Sequence, residues 1–172
     1  MRRPIILIGL PGAGKSTVAP HVAALLGSPW CDLDQRIVAR VGQPVTAIFA
    51  TQGEAHFRAL ERAVMLDVLA EPPQVVATGG GWAAEPDNIA AIAGRALLVY
   101  LSLAPAAAAV RLAGNGDRPL LASESLTSRL TKLLDVRERW YRLADVEIAV
   151  GRATPEAVAA DIATAAHQHG GW

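Results

Sequence analysis

Cysteine occurs once in 172 residues, and lysine, phenylalanine and tyrosine twice each. A single thiol, Cys31, cannot close an internal disulfide, so the fold must be held by packing, and Cys31 itself reads as a small buried hydrophobe. Net charge is missing too. Sixteen Lys plus Arg offset sixteen Asp plus Glu, which argues against binding nucleic acid or a membrane surface through bulk electrostatics. There is no signal-type apolar region with a cleavage site and no apolar stretch long enough to span a bilayer, so the expectation is a cytoplasmic protein with a small-molecule partner. The four histidines, His21, His56, His167 and His169, lack metal-ligand spacing. Scarcity makes Lys15 informative, because only Lys132 accompanies it. Arginine is abundant, so each arginine needs its own argument.

Against that background stands residues 9–17, Gly-Leu-Pro-Gly-Ala-Gly-Lys-Ser-Thr, a complete G-x-x-x-x-G-K-[ST] loop directly behind the apolar run Ile5-Ile6-Leu7-Ile8. Average residue usage would produce the pattern by chance in a chain this long about 1 time in 100. Glycine is required there because backbone N–H groups must curl around phosphate oxygens in conformations a side chain forbids. Gly12, Ala13, Gly14, Lys15, Ser16 and Thr17 are therefore the candidate nucleotide-phosphate residues. Lys15 adds a point charge, Ser16 offers a hydroxyl to a nucleotide-bound Mg²⁺, and the helix opening at Lys15 aims its positive end at the phosphates.

The rest of the chain alternates strand and helix. Strands are expected at 4–9, 29–33, 75–78, 96–101 and 146–150. Helices are expected at 15–26, 34–41, 54–70, 86–93, 105–112, 123–143 and 155–167, with one further helical turn at 46–49 before Gly53. Residues 113–122 mix Gly114, Gly116, Asp117, Arg118 and Pro119, a texture suited to a mobile active-site lid. The fold class is α/β: a three-layer α/β/α P-loop fold with a five-stranded parallel sheet, in a single domain over 1–172. At this length one core buries about 70% of the unfolded surface.

Ligands of an open parallel sheet bind beyond the carboxyl ends of its strands. The ends at Gly9, Asp32-Leu33-Asp34 and Gly79-Gly80-Gly81 should then share one crevice. Two carboxylates beside a phosphate loop suggest a metal ligand and a partner for a substrate hydroxyl, although Asp34 could instead merely cap the helix it opens. The glycine triplet would expose backbone N–H groups to a ligand, or be a loose turn. Glu61 and Arg137 break otherwise apolar helix stripes, which is costly for an uncompensated ion. Arg58, one turn from Glu61, is placed to be held by it while facing the crevice, or to make an exposed pair with Glu54. Two arginines that can fork onto a planar anion suggest a carboxylate-bearing substrate. Arg118 in the lid could swing onto a transferring phosphoryl group.

Together these residues resemble the shikimate kinase family of small P-loop kinases, over nearly the whole chain. The family's loop matches 9–17, its Asp-x-Asp matches Asp32 and Asp34, and its Phe-Arg-x-x-Glu matches Phe57, Arg58 and Glu61. Its glycine triplet matches Gly79 to Gly81, its lid matches Arg118-Pro119-Leu120-Leu121, and its late Arg-x-x-x-Tyr matches Arg137 and Tyr141. The resemblance implies transfer of the γ-phosphoryl group of ATP to the 3-hydroxyl of shikimate. Arg58 and Arg137 would hold the shikimate carboxylate. Asp34, Gly80 and Gly81 would hold the ring hydroxyls, with Asp34 accepting the proton, and Phe49 and Phe57 would wall the pocket. Lys15 and Arg118 would stabilise the phosphoryl in flight, and Ser16 and Asp32 would hold Mg²⁺. Arg111 and Arg152 would lie against adenine, with Pro155 bordering its pocket. A monomer is expected. Two departures stand out: Trp82 follows the triplet where the family usually has a small residue, a bulk that could crowd the substrate pocket, and the segment between Tyr141 and Ala144-Asp145 is one residue shorter than is typical. A gluconate kinase, or a P-loop regulator that only binds nucleotide, are the alternatives; no Asn-Lys-x-Asp guanine motif supports a switch.

Overall fold

A computed structural model describes residues 1–85, 87–114 and 119–172, with only the helical backbone of 119–124. Five strands form one parallel sheet: β1 (Ile5–Ile8), β2 (Trp30–Asp32), β3 (Val75–Ala77), β4 (Leu97–Ser102) and β5 (Val146–Ala149). Their order across the sheet is β2-β3-β1-β4-β5. Ile5 pairs with Val75 on one side and Leu97 on the other, so β1 is the central strand. The helices are α1 (Lys15–Leu26), α2 (Leu33–Val41), α3 (Val45–Ala70), α4 (Asn88–Ile92), α5 (Pro105–Ala113), α6 (Pro119–Tyr141) and α7 (Pro155–His169), with a 3₁₀ turn at Trp82–Ala84.

Every side chain of β1 is buried, as expected of a strand covered on both faces. Ile5 and Leu7 join Val18, Val22, Val158 and Ile162 in the layer beneath α1 and α7. Ile6 and Ile8 point the other way, to Leu33, Ile37, Phe57, Val64 and Met65 under α2 and α3. At about 2 kcal/mol for each large aliphatic side chain removed from water, these two layers supply most of the stabilising free energy. The three-layer architecture expected from the sequence is the one observed. Among the described residues, no helix is long and apolar enough to cross a membrane.

Most boundaries fall within a residue or two of expectation, and three differences matter most. The strand expected at 29–33 stops at Asp32, and α2 starts one residue early, at Leu33. The cause is a cap: Asp32 Oδ1 accepts the Gln35 backbone N–H at 3.1 Å, so the capping role considered for Asp34 belongs to Asp32. The expected turn at 46–49 and helix at 54–70 are both part of α3, which bends where Gly53 sits at φ 82° and ψ 171°, a conformation few residues other than glycine adopt. Finally, α6 begins at Pro119 rather than at 123. Residues 119–122 of the expected lid are thus its first turn, while Arg118 lies outside the described residues.

Candidate active site

The sheet order puts the carboxyl ends of β2, β3 and β1 side by side, and a crevice of about 600 Å³ opens above them. Its walls include the loop from Pro11 to Thr17, Asp32, Asp34, Thr78, Gly79, Gly80, Arg111, Ala153 and Pro155. The loop is shaped by its glycines: Gly12 has φ 83°, and a Cβ there would lie 2.9 Å from the Ala108 carbonyl oxygen.

Lys15 is buried, and its Nζ donates to the Gly9 carbonyl at 2.7 Å and the Leu10 carbonyl at 3.0 Å. Burial lowers its pKa to about 8, against the pull of Asp34 and Asp32, and Arg137 pushes in the same direction as burial. The adjacent Ser16 hydroxyl donates to Asp32 Oδ2 at 2.5 Å. One hydroxyl and one carboxylate, both hard oxygen donors beside a phosphate cradle, fit Mg²⁺, which keeps most of its own waters and shares phosphate oxygens. Among the described residues, no group of three or more His, Cys, Asp or Glu could hold a metal ion without such help.

Freed from capping, Asp34 lines the crevice, and its Oδ1 is buried without a partner among the described residues. Its pKa is raised, by burial first and Asp32 second, while Lys15 and Arg58 pull it down. Behind it lies Glu61, 0% exposed, with Oε2 accepting from Arg58 Nη1 at 2.6 Å and Oε1 unpartnered among the described residues. Here burial outweighs the attraction of Arg58 and lifts the carboxyl to about 7. Both pairings considered for Arg58 are present, since Nη2 also donates to Glu54 Oε1 at 2.9 Å. A third, unforeseen partner is Glu85, whose Oε1 lies 3.4 Å from Nε.

The glycine triplet is no loose turn. A Cβ on Gly79 would stand 3.1 Å from Glu61 Oε1 and 3.2 Å from Asp34 Oδ1; one on Gly81 would stand 2.7 Å from Arg58 Nη2. The absent side chains are what let three charged groups converge on the backbone. Tyr141, completely buried, donates its hydroxyl to the Gly80 carbonyl at 2.6 Å. Arg137, one turn earlier on α6, is half-buried and close enough to act on both Tyr141 and Lys15.

Other expected residues sit around this centre. Phe57 is buried and Phe49 half-exposed beside it, with ring centroids 4.6 Å apart. Arg111 ties the loop to the β5–α7 turn, donating to the Ala13 carbonyl at 3.4 Å and the Gly151 carbonyl at 2.8 Å. Pro155 lines the crevice, whereas Arg152 is exposed on the neighbouring turn and is not among the lining residues. The crowding expected of Trp82 does not occur: its ring is 1% exposed in the core, beside Met65, Leu69 and Ile92. Beyond Tyr141, the short segment closes neatly, because Asp145 pairs with Leu98 through its backbone N–H and its carboxylate. Tyr141 and Glu85 are the site residues whose roles sequence reasoning missed. The first was visible as an aromatic on the α6 stripe, while nothing marked the second.

A phosphate loop that shares a crevice with Asp34, with the Arg58–Glu61 ion pair behind it, defines a P-loop small-molecule kinase. The shikimate kinase family model matches residues 11–167, and the chain belongs to that family. A shikimate kinase of Paracidovorax citrulli is 42% identical over 149 residues, 84% of this chain and 81% of the relative. The solved shikimate kinase from Acinetobacter baumannii in complex with shikimate superposes with a TM-score of 0.87 at 31% identity, over 98% of this chain and 94% of that one. A gluconokinase from Sinorhizobium meliloti, at TM-score 0.62 and 19% identity over 97% of each chain, shares the fold alone.

Proposed function

We infer that this chain is an ATP-dependent kinase that phosphorylates the 3-hydroxyl of shikimate, yielding shikimate 3-phosphate and ADP. The observation that carries the reading is Asp34, which lines the same crevice as the Gly12–Thr17 loop and whose buried Oδ1, beside Gly79, has no partner among the described residues. A P-loop regulator would have no use for it, and the family match selects shikimate over gluconate as the acceptor.

In this reading, backbone N–H groups of Gly12, Ala13, Gly14, Ser16 and Thr17 hold the phosphates of ATP. Arg111, Arg152 and Pro155 border the adenine. Arg58 and Arg137 fork onto the shikimate carboxylate, while Glu61 holds Arg58 in place. Asp34 and the backbone of Gly79, Gly80 and Gly81 position the ring hydroxyls between Phe49 and Phe57. Asp34 accepts the proton of the attacking hydroxyl. Lys15 and Arg118 then stabilise charge on the transferring phosphoryl group, with positioning and electrostatics doing most of the catalysis. Ser16 and Asp32 would hold Mg²⁺, which neutralises phosphate charge when bound. The enzyme is proposed to act as a cytoplasmic monomer.

A coupled assay for ADP release, with shikimate and MgATP, tests this directly. Turnover with shikimate and none with gluconate is the expected result; folded protein with no shikimate-dependent turnover would sink the reading.

A further inference from the structure

Arg58 is surrounded by more negative charge than a buried guanidinium needs. Its Nη1 donates to Glu61 and its Nη2 to Glu54, both on α3. Glu85 approaches from a different element, the segment after the 3₁₀ turn, and stops at 3.4 Å from Nε. That third contact is an ion pair without a hydrogen bond, since Nε is buried and has no acceptor among the described residues. On the remaining side, Gly81 presses against the guanidinium so closely that a Cβ there would overlap Nη2. Arg58 therefore has little room to retreat.

The other charges near this group are Asp34 on α2, which feels Arg58 and Lys15, and, further off, Arg137 on α6, which acts on Lys15. A bidentate carboxylate needs two parallel N–H groups along one edge of the guanidinium. The edge that contains Nε is the one Glu85 faces. Glu54 has a side chain 67% exposed and is largely screened by water, but the Glu85 side chain is only 30% exposed, so its charge is felt more strongly.

We propose that Glu85 determines how tightly this site captures its carboxylate-bearing acceptor, by competing with the acceptor's carboxylate for Arg58. The inference rests on the reading of Arg58 as an anchor of the shikimate carboxylate. Glu85 contributes no hydrogen bond that holds Arg58 in place, which Glu61 and Glu54 already do. Its effect is one like charge beside the docking position, so removing it should tighten binding about three- to tenfold after allowance for solvent screening. The effect falls on acceptor binding, because Glu85 does not line the crevice where the phosphoryl group moves.

Calorimetric titration of shikimate into wild type, Glu85→Gln and Glu85→Ala is the test, with steady-state kinetics beside it. Both variants should show a shikimate Kd and KM lowered about three- to tenfold, a KM for ATP unchanged, and a difference from wild type that narrows as salt is raised. Unchanged affinity in both variants would overturn the proposal. So would weaker binding by Glu85→Ala that Glu85→Gln restores, since Glu85 would then be a strut for Arg58. Wild-type protein that binds no shikimate would overturn the functional reading along with it, a result distinct from either.

Discussion

The Tyr141 hydroxyl donates to the Gly80 carbonyl at 2.6 Å across 61 positions of sequence. It fastens the end of α6 to the middle of the glycine triplet, and with it the helix that carries Arg137. Removing the hydroxyl in Tyr141→Phe leaves the part-buried Gly80 carbonyl without its donor, at a cost of about 1 kcal/mol. Urea denaturation should show that loss, and the KM for shikimate should rise more than the KM for ATP. Equal stability and unchanged KM values would show that the bond positions nothing.

Lys15 is buried and donates to the carbonyls of Gly9 and Leu10. Lys15→Ala should lose on the order of 100-fold or more in kcat, because the charge acts on the transferring phosphoryl group, while the protein remains folded by circular dichroism. Its pKa is lowered to about 8. The active form is the cation, so kcat/KM for ATP in the wild type should fall as pH rises through about 8. A profile flat to pH 10 would mean that the free enzyme's Lys15 stays charged.

Glu61 gives a pH signature of stability. Its carboxyl is raised from 4.5 to about 7, chiefly by burial. The native state then binds this proton more tightly than the unfolded chain does, so stability from this group is full below about pH 4.5 and lost as pH rises through about 7. The change is on the order of 3 kcal/mol. Denaturation at pH 5 and pH 7.5 should show a steeper fall for wild type than for Glu61→Gln, which has no proton to lose; parallel behaviour would refute the assignment.

Arg137, half-buried on α6, acts on both Lys15 and Tyr141. Arg137→Ala should weaken shikimate binding by about tenfold or more, as expected for a lost charge-assisted hydrogen bond. Nucleotide binding should change little. Calorimetry separates the two, and a variant that loses ATP binding instead would move Arg137 to the other half of the site.

Much of this arrangement was legible in the chain. The phosphate loop, the five strands, an interruption of helix at Gly53 and the Arg58–Glu61 pair follow from contiguous motifs and helical spacing, which depend on neighbours within a few residues. The roles of Asp32 and Asp34 were less legible, because a shift of one residue in the start of α2 decides which carboxylate caps and which faces the crevice. The direction of Trp82 and the approach of Glu85 were not legible at all, since neither belongs to a periodic pattern.

By itself, the sequence determined that a phosphate cradle opens α1 behind a buried strand, and that two charges, Glu61 and Arg137, must find partners on apolar helix faces. Only the tertiary structure decided what Arg137 acts on and what stands opposite the cradle. Threading β3 between β2 and β1 brings Asp34 and the glycine triplet beside the loop, and the close approaches of Tyr141 to Gly80 and Glu85 to Arg58 join segments far apart in the chain. Backbone conformation and amphipathic spacing are local properties, whereas the meeting of distant side chains depends on how whole layers pack.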